Sequence, residues 1–204
     1  VCDPKPKGTL KMKCLSLALF PFLLFSCSSA SIQNRSNLWP KRVIDAHVHV
    51  TYSGKKSELT GFEVTEAEFQ RQLQEVNGRG AIAHTNRKMD QTRDYSSLRI
   101  VPCLGITKDP DLKRIERVLK NKDYRCVKVY LGYEYQYAAH PKYKSVYRLA
   151  EKYNIPVVFH TGDTYDVDGH LKYADPLTID EVAVEFRKVK FVIAHIGNPW
   201  IQSA

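Results

Sequence analysis

The sequence contains no internal repeat, no low-complexity tract, no recognisable nucleic-acid motif and no apolar run long enough to span a bilayer. Its longest apolar stretch, Cys14 to Phe25, has about a dozen residues where a spanning helix needs about 20. Cysteine is scarce, five in 204 residues, and Cys2, Cys14 and Cys27 lie at the front. Only Cys103 and Cys126 remain inside predicted strands, which excludes a disulfide-stapled scaffold. They read as buried thiols, although an exported protein could pair them. Excess positive charge is smaller than the formal +9 suggests. Lys5, Lys7, Lys11 and Lys13 against Asp3 place +3 of it in the first 26 residues, leaving +6 on the rest. Those remaining cations are scattered rather than banded, so no nucleic-acid partner is expected.

What is present at the front is an export signal. Met12-Lys13 precedes the apolar run, and Ser26-Cys27-Ser28-Ser29 follows it, the order of basic, apolar and small residues in a secretory signal. Leu24-Phe25-Ser26-Cys27 resembles a bacterial lipobox, which would make Cys27 a lipidated anchor in the cell envelope. A plain signal peptide cut near Ser29 or Ala30 is the alternative. The expected organisation is upstream residues and signal over 1–27, a polar linker over 28–40 and one domain over 41–204.

Within that domain strands alternate with helices. Strands are expected over Arg42 to Val50, Ala81 to Thr85, Arg99 to Ile106, Cys126 to Gly132, Pro156 to His160 and Phe191 to His195. Thr65-Glu66-Ala67-Glu68 has a capping-box pattern and opens a helix carrying Phe69, Leu73 and Val76. Asp109-Pro110-Asp111 opens another, with Leu112, Ile115 and Leu119 on one side. Lys142 to Tyr153 and Pro176 to Arg187 complete the set. Such βα units build either a barrel or a doubly wound sheet. Polar residues at strand ends favour an α/β fold of the (β/α)8 TIM-barrel type, with about six of eight βα units present, because barrel chemistry gathers at the C-terminal ends of the strands.

Val43, Asp45, His47 and His49 share one face of the first strand and Ile44, Ala46, Val48 and Val50 the other. Histidines two apart can both reach the roughly 2.0 to 2.1 Å of a zinc–nitrogen bond. His160 and His195 each end an apolar run, and Lys128 and Tyr130 share the inward parity of the fourth strand. His84, His140 and His170 read as surface or loop residues, and Asp163, Asp166 and Asp168 as a solvated loop.

Ile44-Asp45-Ala46-His47-Val48-His49, Val158-Phe159-His160-Thr161-Gly162-Asp163 and Val192-Ile193-Ala194-His195-Ile196-Gly197-Asn198-Pro199-Trp200 resemble the metal-dependent amidohydrolase superfamily. The resemblance is to its amidohydrolase-related branch, which includes aminocarboxymuconate semialdehyde decarboxylase, and it covers residues 42 to 204. It implies that His47, His49 and His160 bind one divalent metal ion, zinc first with manganese or iron as alternatives. It also implies that His195 polarises the substrate or assists as an acid. An aspartate after an eighth strand, which such sites carry, lies beyond the last residue of this sequence, and the barrel is read as C-terminally truncated.

Some members of the superfamily carry a carboxylated lysine on the fourth strand; Lys128 is read instead as an anion-binding or structural lysine, with Tyr130 as a substrate contact. The expected function is hydrolysis of an amide, ester or lactone carbonyl in a small-molecule substrate by metal-activated water. The alternatives are a decarboxylase of the same family and a non-catalytic envelope binding lipoprotein.

Overall fold

A computed structural model describes residues 42–49, 65–84 and 99–204. The signal segment expected over 1–27, the linker expected over 28–40, Val50 and the loop carrying Gly54 and Gly61 lie outside the described residues.

Six strands, β1 (Val43–Val48), β2 (Gly78–His84), β3 (Ile100–Ile106), β4 (Cys126–Val129), β5 (Val157–Phe159) and β6 (Phe191–Ile193), form one sheet in the order β1-β2-β3-β4-β5-β6. Every neighbouring pair is parallel. A doubly wound sheet reverses its strand order at a switch point, and this sheet never does. It also curls. Laid flat, β1 and β6 would stand five strand spacings apart, roughly 24 Å, yet the rings of His47 and His195 are 4.6 Å apart. Unreversed order and curvature together are those of a (β/α)8 barrel, of which six strands are seen.

The helices form where the caps and apolar spacing direct. Thr65 accepts a hydrogen bond from the Glu68 backbone N–H at 3.1 Å and starts α1 (Glu66–Glu75). Asp111 accepts from the Arg114 N–H at 3.0 Å and starts α2 (Leu112–Lys120). That helix buries Ile115, Val118 and Leu119, whereas Leu112, expected on the same side, is 38% exposed. The expected fourth strand is shorter than its apolar run: β4 stops at Val129, and Leu131–Glu134 wind into a short helix, α3, as the Tyr133 and Glu134 N–H groups donate to the Tyr130 carbonyl.

In α4 (Pro141–Tyr153), proline sits in the first turn and Asn154 ends the helix in the left-handed region. Residues 176–187 do not form one helix; a 3₁₀ turn at Pro176–Ile179 leads into α5 (Asp180–Glu185).

The core lies between β3 to β6 and their covering helices. Tyr147 of α4 is its hub, meeting Phe159, Phe186 and Phe191 edge-on at 5.4 to 5.9 Å and donating its hydroxyl to the Ala138 carbonyl at 2.8 Å. Cys103 and Cys126 face each other across β3 and β4 and are joined in a disulfide, so they are not free thiols. Among the described residues no helix is long and apolar enough to cross a membrane.

Candidate functional site

Five imidazoles gather at the C-terminal ends of four strands. The ring of His47 lies 4.6 Å from that of His195, 4.0 Å from that of His84 and 5.2 Å from that of His49. His160 lies 4.6 Å from His195 on the other side. His47, His49, His160 and His195 thus come together as expected from the sequence.

His84 joins them, which corrects its reading as a surface residue: it is the last residue of β2 and only 2% exposed. The signal was in the sequence. Gly80-Ala81-Ile82-Ala83-His84 is an apolar run ending in histidine, the same pattern as those ending at His160 and His195. His140 and His170 stay outside the cluster, the first capping α4 and the second exposed beside Tyr135 and Tyr173.

His47 Nε2 and His49 Nε2 stand 3.3 Å apart. Two ligands each about 2.1 Å from one ion in a tetrahedral array are separated by about 3.4 Å, so this pair already has the spacing of two ligands on one ion. A local irregularity produces it. Asp45 pairs with Ala81 and Val48 with Ala83, so three steps along β1 match two along β2, and Ala46 and His47 sit in a bulge of the kind that re-aims a side chain. The Asp45 carboxylate accepts the His47 backbone N–H at 3.0 Å within it.

His160 is anchored differently. Its Nε2 donates to the Asp163 carbonyl at 2.9 Å, which fixes the tautomer and leaves the lone pair on Nδ1. Among the described residues no three His, Cys, Asp or Glu side chains converge on one point as a finished metal site.

The loops after β5 and β6 are stitched together beneath His160 and His195. Thr161 donates its hydroxyl to the Ala194 carbonyl at 2.5 Å, and the Asp163 N–H donates to the Asn198 carbonyl at 2.6 Å. Gly162 has φ +77°, and a Cβ there would stand 2.2 Å from the Asn198 oxygen. His195 and Ile196 hold φ of 64° and 56°, sparsely populated for side-chain-bearing residues and most costly for a β-branched one. That strain falls at a candidate site residue.

Electrostatically four of the five imidazoles are held neutral. Burial, followed by the nearby Lys128 charge, pushes His47 down to about 2 and His84 to about 4. Burial also pushes His160 to about 4, against the opposing pull of its bond to Asp163, and lowers His195. Neutral imidazoles carry available lone pairs, the form that ligates metals or takes part in proton transfer.

Lys128, opposite Gly105 of β3 and Val158 of β5, is fully buried. Its Nζ has no hydrogen-bond partner among the described residues and lies 5.7 Å from the Tyr130 ring centre. Burial lowers its pKa to about 7. Tyr130 is buried and stacks near His160 at 6.4 Å, and Tyr133, missed in the sequence, meets the same imidazole edge-on at 4.8 Å.

The sequence matches the amidohydrolase family model over residues 44–204. No curated protein matches at a significant level. Among solved structures, an uncharacterized TIM-barrel protein of Bordetella bronchiseptica is similar with a TM-score of 0.61 and 17% identity, over 79% of this chain and 69% of that one. A 5-carboxyvanillate decarboxylase of Novosphingobium aromaticivorans, solved with bound manganese, gives 0.53 and 10% over 80% and 68%. A probable 2-pyrone-4,6-dicarboxylic acid hydrolase of Acinetobacter baumannii gives 0.51 and 17% over 76% and 58%. The chain therefore spans between 58% and 69% of the length of these three structures.

Proposed function

Because the chain belongs to the amidohydrolase family, we propose that it is a metal-dependent hydrolase acting on an amide, ester or lactone carbonyl of a small-molecule substrate. The observation that carries this reading is the His47–His49 pair, whose nitrogens stand 3.3 Å apart at the strand ends amid imidazoles held neutral. The donor set fits one divalent ion, zinc first with manganese or iron as alternatives. His47, His49 and His160 would hold it. When bound, such an ion supplies a Lewis acid and an acidified water.

The chain's own groups do the rest. His195 is neutral and exposed beside His47 and His160, so its ring N–H can polarise the substrate carbonyl while its lone pair takes the proton released by the attacking water and passes it to the leaving group. Lys128, in its protonated form, presents a positive charge from the buried floor to an anionic part of the substrate. Tyr130 and Tyr133 wall the His160 side and keep water from it.

Lys128 also favours a second reading, decarboxylation, since an ammonium facing the site could hold a substrate carboxylate. We further propose export and a lipid anchor on Cys27; the lipobox pattern supports this, and so does the Cys103–Cys126 disulfide, because such bonds persist outside the reducing cytosol.

The test is to load the full chain with zinc, manganese or iron and screen small amides, esters, lactones and carboxylates. Release of acid or amine, abolished by His195→Ala with metal content unchanged, is the expected result. Release of carbon dioxide would replace hydrolysis by decarboxylation. Absence of turnover with metal bound would leave a binding lipoprotein.

A further inference from the structure

His84 is the member of the cluster to which the reaction above assigns no part. Its ring centre lies 4.0 Å from that of His47, with the two planes inclined by 33°, and 6.0 Å from that of His49. Its Nε2 is 3.4 Å from the Ala46 carbonyl oxygen. A carbonyl only accepts, so Nε2 carries the proton and donates it, and Nδ1 holds the lone pair. Ala46 and His47 are the two residues of the β1 bulge, where the ladder to β2 is interrupted. Regular backbone pairing therefore does not fix His47 at the point where its ring must be aimed. His84 reaches this bulge from the end of the neighbouring strand, packing against both the peptide before His47 and its ring.

We propose that His84 is a positioning residue: from β2 it clamps the bulge of β1, sets the direction of the His47 ring, and so sets the affinity of the His47–His49 pair for a divalent cation. This rests on the reading of that pair as ion-binding. Groups that orient a metal-binding histidine typically contribute 10- to 100-fold in metal affinity. Here the orienting group is a second imidazole packed at a tilt against the ligand ring.

The experiment titrates cobalt(II) into the full chain and into His84→Ala, His84→Leu and His84→Gln, following affinity and the visible ligand-field spectrum, with circular dichroism confirming the fold. Leucine fills the volume without a flat ring or an N–H, and keeps the test open should alanine fail to fold. Glutamine keeps an N–H able to reach the Ala46 carbonyl.

The expected result is about 10- to 100-fold weaker binding with an altered spectrum in the alanine and leucine variants, and near-normal affinity in the glutamine variant. A folded alanine or leucine variant with wild-type affinity and spectrum overturns the role of His84. A wild-type chain that binds no cobalt overturns the ion-binding reading itself, and this inference with it.

Discussion

Lys128 is the residue whose position is hardest to explain by stability alone. A fully buried amine without a hydrogen-bond partner among the described residues opposes folding, because an unpaired buried polar group costs about 1 to 3 kcal/mol and a charged one more. A methionine of similar length would relieve that cost. The pH dependence has a definite sign. Burial holds the folded pKa near 7, whereas an unfolded lysine titrates near about 10.4.

The penalty is therefore complete below pH 7, and wild-type stability rises as pH climbs through the interval up to the unfolded value. Lys128→Met is expected to be more stable than wild type at pH 6 by more than the about 1 to 3 kcal/mol of a neutral unpaired group, with the gap narrowing toward that figure as pH rises to 10, as measured by urea unfolding of metal-free protein. Equal stability of the two at pH 6 would show that the amine is paired after all. If Lys128 contacts an anionic substrate group, the same variant raises KM more than it lowers kcat.

At the scale of elements, the covalent link between β3 and β4 invites a direct test. Cys103 and Cys126 are 23 residues apart in sequence, and closing a loop of that length stabilises a fold by about 3 kcal/mol on the chain-entropy account. Protein matured under oxidising conditions should show no free thiol at either position after unfolding. Its Cys103→Ala, Cys126→Ala double variant should lose about that much stability. Two titratable thiols in the oxidised protein would contradict the pairing.

Much of the element plan was legible in the sequence, because apolar periodicity and capping residues act locally. Thr65 and Asp111 cap the helices they were expected to open, and all six strands form. The bulge in β1 was not legible, since the alternation of Val43 to Val50 reads as regular and only the pairing with β2 shows the extra residue. Nor was the end of β4. Val129 to Leu131 continues an apolar run, and the turn into α3 comes from hydrogen bonds to the Tyr130 carbonyl that no pattern of residue types announces.

For the whole molecule, the decisive feature is that the sheet curls without reversing its order. Curvature brings His47 from the first strand to within 4.6 Å of His195 after the last, and so makes a site out of residues almost 150 positions apart. Strand-end histidines could be read from the sequence as candidates because barrel chemistry gathers at one end of the strands. Their convergence, and the place of His84 among them, depends on the curl and needed the fold.

The central claim is that this convergence binds a metal through His47 and His49, and elemental analysis tests it most directly. The full chain, purified without chelator, should carry about one equivalent of zinc, manganese or iron, and the His47→Ala, His49→Ala double variant should carry almost none while remaining folded. A folded wild-type protein without metal, even after incubation with these ions, would contradict the account and leave an amidohydrolase scaffold that binds without this chemistry.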